Sequence, residues 1–205
     1  MPLPHFVQIG VNDTGGVGSL PQEVVYKNLF EVTFVLPTIL QAQGRDPILL
    51  LQQTTKIGGL DLTPGIEVAD QRFKYSTRAY LKTPSKTHLE SVKLEFNVNQ
   101  NQQGSMEVWN ALKAWYDLAW NSQNGTLHYK ADTIGTIIIN QHDKKGYIIR
   151  RITLQNAQLK GLDSYELDWG SNEIINTGAE FVVDYWIDEY IDNGYVINPP
   201  IIAGY

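Results

Sequence analysis

The segment Thr87–Val98 alternates strictly between polar and apolar residues from Ser91 to Val98, and this pattern constrains the fold more than any other feature of the chain. The apolar positions are Val92, Leu94, Phe96 and Val98, and the residues between them are polar or charged. Successive side chains of a β-strand point to opposite faces, so this pattern predicts a strand with one buried face. A slip of one residue would move the whole apolar set to solvent, so burial sets the register.

Several other segments have the composition of strands. Tyr26–Leu36 carries a mostly apolar face, formed by Phe30, Val32, Phe34 and Leu36. Thr126–Lys130, Thr133–Gln141 and Tyr147–Leu159 are predicted as further strands, and His142–Gly146 as the turn between the last two.

The stretch Leu162–Trp186 predicts one β-hairpin. Its arms are Ser164–Trp169 and Gly178–Trp186, and the residues between the arms, Gly170–Glu173, have turn composition. In the second arm the predicted core face is Ala179, Phe181, Val183 and Tyr185, and the other face is Glu180, Val182, Asp184 and Trp186.

A single helix is predicted from Ser105, as its cap, to about Asn121. Its apolar stripe, at helical spacing, is Val108, Leu112, Trp115 and Ala119, widened by Trp109, Tyr116 and Trp120. This spacing favours packing on a sheet over an aromatic platform for sugars. The predicted core of the whole chain includes Phe30, Val92, Leu94, Phe96, Leu112, Trp115, Phe181 and Val183.

Length and composition fit a mainly β domain. The 205 residues, 42% of them hydrophobic, suffice for one large domain with a substantial core. The chain has no cysteine, which excludes disulfides and thiolate metal sites. The net charge of −6 argues against tight nucleic-acid binding. We expect neither a signal peptide nor a membrane-spanning helix, and hence no stable membrane insertion.

No pattern predicts catalysis, a cofactor or a metal site. The four histidines, His5, His88, His128 and His142, lack metal-ligand spacing, and Gly15–Ser19 lacks the lysine of a phosphate loop. Two pairs of carboxylates, Glu166 with Asp168 and Glu180 with Asp184, share a predicted strand face. Such pairs could hydrolyse glycosides, but acids on a solvated or interface face of a strand are common. The chain is therefore predicted not to be an enzyme.

The segment Arg72–Lys82 alternates between basic and apolar positions. Its basic and polar face, if it were one strand, would be Arg72, Lys74, Ser76, Arg78, Tyr80 and Lys82. From the residues alone, a solvated antiparallel strand explains this pattern.

Several short motifs follow one another along the chain. Near the C-terminus these are Leu167–Trp169, Ser171–Ile174 and Asp184–Trp186, and before them come Asn28–Val32, Leu60–Val68, the mid-chain helix with its tryptophans and Lys160–Leu162. Taken in this order, they resemble contractile-tail bacteriophage tail tube proteins of the T-even-like type. Asn28–Val32 resembles the first strand of that family, Leu60–Val68 resembles the approach to its long hairpin, and the three motifs near the C-terminus resemble its C-terminal signature. The resemblance spans 26–186.

The resemblance implies an antiparallel β-sandwich or barrel-like fold with one helix, whose long hairpin contributes to a barrel shared between subunits. It also implies hexameric rings stacked into a hollow tube, through which the genome passes inside a contractile sheath. Candidate intersubunit or lumen-facing residues are Arg72, Lys74, Arg78, Lys82, Glu166, Asp168, Glu180 and Asp184.

The implied partners are other copies of the chain, the sheath, baseplate and tail terminator proteins, the tape measure protein, and genomic DNA in transit without specific binding. The implied location is the tail tube of a virion assembled in the host cytoplasm. The expected organisation is an N-terminal arm at 1–25, a tube domain at 26–186 with an insertion near 37–59, and a C-terminal extension at 187–205.

Two other interpretations remain at this point. The nearer is a tube protein of a related contractile injection system, of a type VI secretion system, or of a baseplate that initiates a tube, because these share fold and ring geometry. The distant one is a carbohydrate-active β-sandwich module.

Overall fold

The computed structural model describes residues 26–62, 68–73, 76–81, 89–99, 105–121, 123–165, 169–170, 174–192 and 195–196. The strands are β1 (Phe30–Val35), β2 (Thr54–Gly58), β3 (Val68–Phe73), β4 (Ser76–Leu81), β5 (Leu89–Asn97), β6 (Gly135–His142), β7 (Ile148–Leu162), β8 (Asn176–Val183), β9 (Tyr185–Asp192) and β10 (Tyr195–Val196). The helices are α1 (Thr38–Ala42), α2 (Pro47–Gln53), α3 (Glu107–Ala119) and α4 (Lys130–Thr133). Every strand pair among these residues is antiparallel, which confirms the predicted mainly β class.

Two sheets share the long strand β7. The first half of β7 lies between β6 and β9, and β1 extends that sheet beyond β6. The second half of β7 pairs with β8, which continues through β5 to β2. The strand order is therefore β1-β6-β7-β8-β5-β2, and β3 and β4 form a separate two-stranded sheet.

Both sheets and α3 bury their apolar side chains in one core. Of the predicted core, Val92, Leu94, Phe96, Leu112, Trp115, Phe181 and Val183 are buried and Phe30 is half-buried. The ring of Trp115 meets that of Phe181 edge to face at 5.2 Å, and its Nε1 donates to the Thr133 carbonyl at 3.0 Å. A buried indole N–H needs such a partner, so this bond fixes α3 against α4.

Helix α3 starts later than expected. Its N-cap residue is Met106, which makes no side-chain capping bond, so the prediction of Ser105 as the cap is wrong. The Ser105 hydroxyl instead accepts a hydrogen bond from Asn110 Nδ2 at 3.1 Å. Trp109 and Tyr116 are half-buried and Trp120 is exposed, so only part of the aromatic stripe lies in the core.

The stretch predicted as an insertion, 37–59, supplies α1, α2 and the edge strand β2. Asp46 caps α2 by accepting from the Ile48 amide at 2.8 Å, Pro47 occupies its first turn, and Leu50 is fully buried. Because β2 pairs with β5, the segment is part of the main sheet.

Three strand predictions were wrong. Thr126–Lys130 is not a strand, because Thr126 makes one isolated bridge and α4 begins at Lys130. Arg72–Lys82 is not one strand, since β3 and β4 turn back on each other there. The hairpin near the C-terminus begins in β7, which ends at Leu162, and Ser164 and Tyr165 of its predicted first arm have no strand structure.

The boundary placed at residue 186 falls inside β9, which pairs with β7 from Tyr185 to Tyr190. The first residues of the predicted C-terminal extension therefore belong to the sheet. The predicted arm 1–25 and the tail beyond Val196 lie outside the described residues.

Candidate assembly surfaces

A corner joins the two sheets where β7 bends and the chain passes from β8 to β9. Asn156 in β7 has a φ of +55°, and Asp184 forms the bend between β8 and β9. Towards the end of β8 the buried residues alternate, as Ala179, Phe181 and Val183, but beyond the bend the buried residue among those described is Trp186. The predicted face assignment of Tyr185 and Trp186 was therefore wrong, because the bend shifts the alternation by one residue.

Asp184 holds this corner together. Its carboxylate accepts from Asn156 Nδ2 at 3.1 Å and from Lys130 Nζ at 2.7 Å. Asparagine is one of the residues that tolerate a left-handed backbone, and the side-chain amide of Asn156 links this strained position to the bend between β8 and β9. The predicted assembly residue Asp184 is thus already engaged within its own subunit.

Glu180, the other described acidic candidate, is also paired within the chain. Lys160 Nζ lies 2.9 Å from its carboxylate, and Lys93 is directly opposite on β5. Hydrogen bonds from Ser91 and Lys160 lower the pKa of Glu180. Glu180 on β8 and Asp184 at the bend therefore each bind a different lysine of the same chain.

Further ion pairs continue the same sheet face. Lys56 on β2 lies 2.7 Å from Glu95 on β5, and Lys93 lies 2.5 Å from Asp163. The hydrogen bond to Asp163 raises the pKa of Lys93. We call the three pairs Lys56–Glu95, Lys93–Asp163 and Lys160–Glu180 the ion-pair face, and its six charges cancel.

On the other sheet, Arg150 binds Asp188 through two hydrogen bonds, of 2.8 and 2.7 Å. The guanidinium also lies over the Tyr190 ring, 5.4 Å from its centroid. Asp188 raises the pKa of Arg150. This bidentate pair joins β7 to β9, the strand that follows the corner.

The β3–β4 hairpin carries the two described basic candidates. Arg72 pairs with Thr77, and Arg78 pairs with Gln71. Residues opposite each other in an antiparallel pair share a face, so positions 72 and 78 belong to opposite faces of the hairpin. The prediction that one face collects the basic residues was therefore wrong for this pair. The other candidates, Lys74, Lys82, Glu166 and Asp168, lie outside the described residues.

The hairpin makes no strand pairs beyond itself in the part of the chain that the structure describes. Asp70, Arg78, Ala79 and Tyr80 are exposed. Two-stranded hairpins are marginally stable alone, and each outer edge offers backbone groups to a further strand. This hairpin is therefore the described element best suited to pairing with another chain.

A groove lies at the open seam of the main sheet, between its terminal strands β1 and β2. Its volume is about 750 Å³. Its walls come from Tyr26–Phe30 on one side and Thr54–Ile57 with Leu60 on the other, and Ile139 and Gln141 of β6 also line it.

The described residues contain no group of three or more histidine, aspartate and glutamate side chains that could hold a metal ion. His128 is exposed, and His142 Nε2 lies 3.6 Å from Glu31. None of the helices within the described ranges is long and apolar enough to cross a membrane.

Known structures with a similar fold come from contractile injection systems. The tube-terminating cap of the anti-feeding prophage is 16% identical, with a TM-score of 0.61 over 88% of this chain and 100% of that one. A chain of the PVC sheath-tube complex in its extended state is 15% identical, with a TM-score of 0.57 over 83% and 94%. A chain of the PVC sheath/tube terminator is 16% identical, with a TM-score of 0.54 over 82% and 98%.

No family model and no curated protein matches the sequence. At these identities the likeness establishes a shared fold, the one found in tube and cap proteins of contractile injection systems.

Proposed function

We propose that the chain is a structural subunit of the inner tube of a contractile tail. The observation that carries this proposal is the β3–β4 hairpin. Among the described residues it makes no strand pair with the main sheet, and the fold that carries it is shared with tube and cap proteins. The proposal includes the finer prediction of hexameric rings, stacked into the tail tube of a bacteriophage virion assembled in the host cytoplasm.

The hairpin supplies a physical route to a ring. A sheet edge left open invites uncontrolled pairing, and closure around a ring removes every edge. We infer that each β3–β4 hairpin pairs with hairpins of neighbouring copies and so builds a continuous inner barrel. The side chains of Asp70 on β3 and Arg78 on β4 are both exposed and carry opposite charges. Opposite charges on adjoining strands favour one register over others.

The carboxylates that are paired within the subunit reduce the number of candidates for lumen-facing residues. Glu180 and Asp184 already bind lysines of their own chain, so neither supplies a free negative charge. We propose that the lumen is lined by the hairpin and that the ion-pair face lies away from it.

The same proposal includes the proteins that the chain would contact in the tail. Other copies of the chain form the ring and the stack, and the sheath surrounds them. Baseplate, tail terminator and tape measure proteins meet the tube at its ends and in its channel. The role is mechanical, and we propose no chemical step for it.

Negative-stain electron microscopy of the purified chain tests the proposal. We expect six-fold rings or hollow tubes for the wild type. Ala79→Pro removes a backbone N–H from exposed β4, so rings and tubes should be lost while the main body unfolds at an unchanged temperature. Ala79→Ser keeps that N–H and is the matched control, which should assemble. A persistent wild-type monomer, or normal tubes from Ala79→Pro, would overturn the proposal.

A tube-terminating cap is the second candidate. It is favoured by the higher TM-score of the prophage cap, 0.61 against 0.57 for the sheath-tube chain, and by coverage of that cap's whole length. The same micrographs separate the two candidates, since a tube protein forms stacks of many rings and a cap forms one closed ring that does not extend.

A further inference from the structure

The groove at the seam between β1 and β2 has the features of a site for an additional strand. In the described part of the chain, β1 pairs only with β6 and β2 pairs only with β5. Each strand therefore has one edge without a partner among the described residues, and the groove is lined by Phe30 at the start of β1 and by Thr54–Ile57 of β2. An extended segment in such a groove gains main-chain hydrogen bonds from the edges.

The lining of the groove is apolar where a strand would lie. Leu29 and Phe30 line the β1 side, and Ile57 and Leu60 line the β2 side. These four side chains are half-buried, and three of them, Phe30, Ile57 and Leu60, pack against the main core. An alternating segment with apolar residues on one face would complete their burial.

One segment of the chain outside the described residues fits this site. Phe6–Val11 reads FVQIGV, in which Val7, Ile9 and Val11 alternate with Gln8 and Gly10. The pattern is that of a strand with one apolar face and a central β-branched residue. The segment carries no charged side chain, so its insertion buries no ion.

The connection to the groove is short. The N-terminal 25 residues lead directly into Tyr26, which itself lines the groove. The 14 residues from Asn12 to Val25 include Gly15, Gly16 and Gly18 and would span roughly 46 Å when extended. This reach lets the segment fold back on its own chain. Tethering gives it an effective concentration of about millimolar, above that of a segment from another copy in dilute solution.

We propose that Phe6–Val11 adds as a strand in the groove between β1 and β2 of its own chain and closes the seam of the main sheet. The added strand covers both edges that would otherwise invite pairing with other chains. This inference does not rest on the proposed tube function, because it concerns the single subunit.

Disulfide trapping tests the proposal in the full-length chain, which has no cysteine of its own. Ile9→Cys is combined with Leu29→Cys on one edge or with Ile57→Cys on the other. Tyr147→Cys, at an exposed position in the turn before β7, gives the control pair. Under mild oxidation, we expect at least one groove pair to form an intramolecular cross-link more than tenfold faster than the control pair.

Non-reducing electrophoresis distinguishes the outcomes, because an internal cross-link yields a fast-migrating monomer. Cross-linked dimers would show that the segment of another copy fills the groove, and they would overturn the proposal. Equal rates for the groove and control pairs would overturn it as well.

Hydrogen exchange provides a second measurement without cysteines. The double variant Val7→Asp with Ile9→Asp places two charges on the apolar face of the segment. Amides of Thr54–Gly58 should then exchange at least tenfold faster than in the wild type, whereas those of β7 should not change. Unchanged exchange at β2 would contradict the proposal whether or not the chain assembles into tubes.

Discussion

Gly135, the first residue of β6, lies close to both α3 and β1. A Cβ added there would stand 2.7 Å from the Trp115 ring carbon Cζ2, 2.9 Å from Cη2 and 2.7 Å from the Val35 carbonyl oxygen. None of these atoms can easily move, because the indole is fully buried and bonded to Thr133 and the carbonyl belongs to β1. Gly135→Ala therefore requires shifts of more than about half an ångström, judged against ordinary contacts of about 3.5 Å.

Overpacking of this kind costs about 1–3 kcal/mol. For a chain of this length each kcal/mol lowers Tm by about 2–4 °C, so we expect a drop of about 2–12 °C. Gly161→Ala is the matched control. It is the same substitution in β7, and its new Cβ would meet nothing within 4 Å.

Urea unfolding followed by tryptophan fluorescence measures the difference between the two variants. A double-mutant cycle with Trp115→Phe then identifies the contact. Phenylalanine lacks the two crowded ring carbons, so Gly135→Ala should cost less in that background, although the clash with the Val35 carbonyl remains. Equal stability of Gly135→Ala and Gly161→Ala would refute the steric argument.

Three further substitutions test the corner and the ion pairs. Asn156→Val should destabilise by at least about 1–2 kcal/mol in urea unfolding, because a β-branched residue resists the left-handed backbone and the bond to Asp184 is lost. A stability equal to that of Asn156→Gly would contradict the backbone argument. Glu180→Gln should lower Tm at pH 7 but not at acidic pH. Folding lowers the pKa of Glu180 from 4.5, so its ionised carboxylate stabilises the fold above pH 4.5, and this stabilisation is lost as the pH falls through the folded-state pKa. A Tm difference that persists at about pH 2.5, well below the ordinary pKa of a glutamate, would count against this. Arg150→Lys keeps the charge but loses the bidentate contact with Asp188, so amides of β9 should exchange faster, and unchanged exchange would show that the second hydrogen bond is dispensable.

The elements that the sequence predicted well are those with strong and uninterrupted periodicity. The β5 residues Val92, Leu94 and Phe96 alternate without exception, and all three are buried. Helix α3 carries its core residues at regular helical spacing. In the turn before β7, the Asp143 carboxylate accepts hydrogen bonds from the amides of Lys145 and Tyr147, and Gly146 has a φ of +86°. In these places local chemistry and burial agree, so a single sequence suffices.

The errors arose where tertiary contacts reverse the chain without a local signal. Lys74 and Tyr75, between β3 and β4, include no glycine, proline or asparagine, so the alternation in the sequence runs through the turn without interruption. The bend at Asp184 likewise follows Val183 without a glycine or proline and depends on the distant Lys130 and Asn156. The periodicity of one segment contains no information about contacts with residues that are distant in the sequence.

The sequence says less about the candidate assembly residues than about the core. Glu180 and Asp184 are half-buried, and their lysine partners lie 20 and 54 positions away in the sequence. Composition alone offers no means of distinguishing an acid that is paired internally from one that is free for a neighbour. The register of β3 and β4 likewise depends on which residues pair, and that pairing separates Arg72 from Arg78.

The pairing of the strands also determines the order in which the chain can fold. Phe30 pairs with Gln141 and Val92 pairs with Phe181, so loops of roughly a hundred residues must close before either sheet is complete. On a ribosome, β1 and β5 therefore wait, with their apolar faces unburied, until most of the chain has been made. The β3–β4 hairpin needs no such closure, because its two strands are neighbours in sequence. The hairpin edge that is proposed to join subunits can thus form early in folding, whereas the two sheets are completed late. Slow synthesis at low concentration should therefore favour correctly folded subunits over premature association.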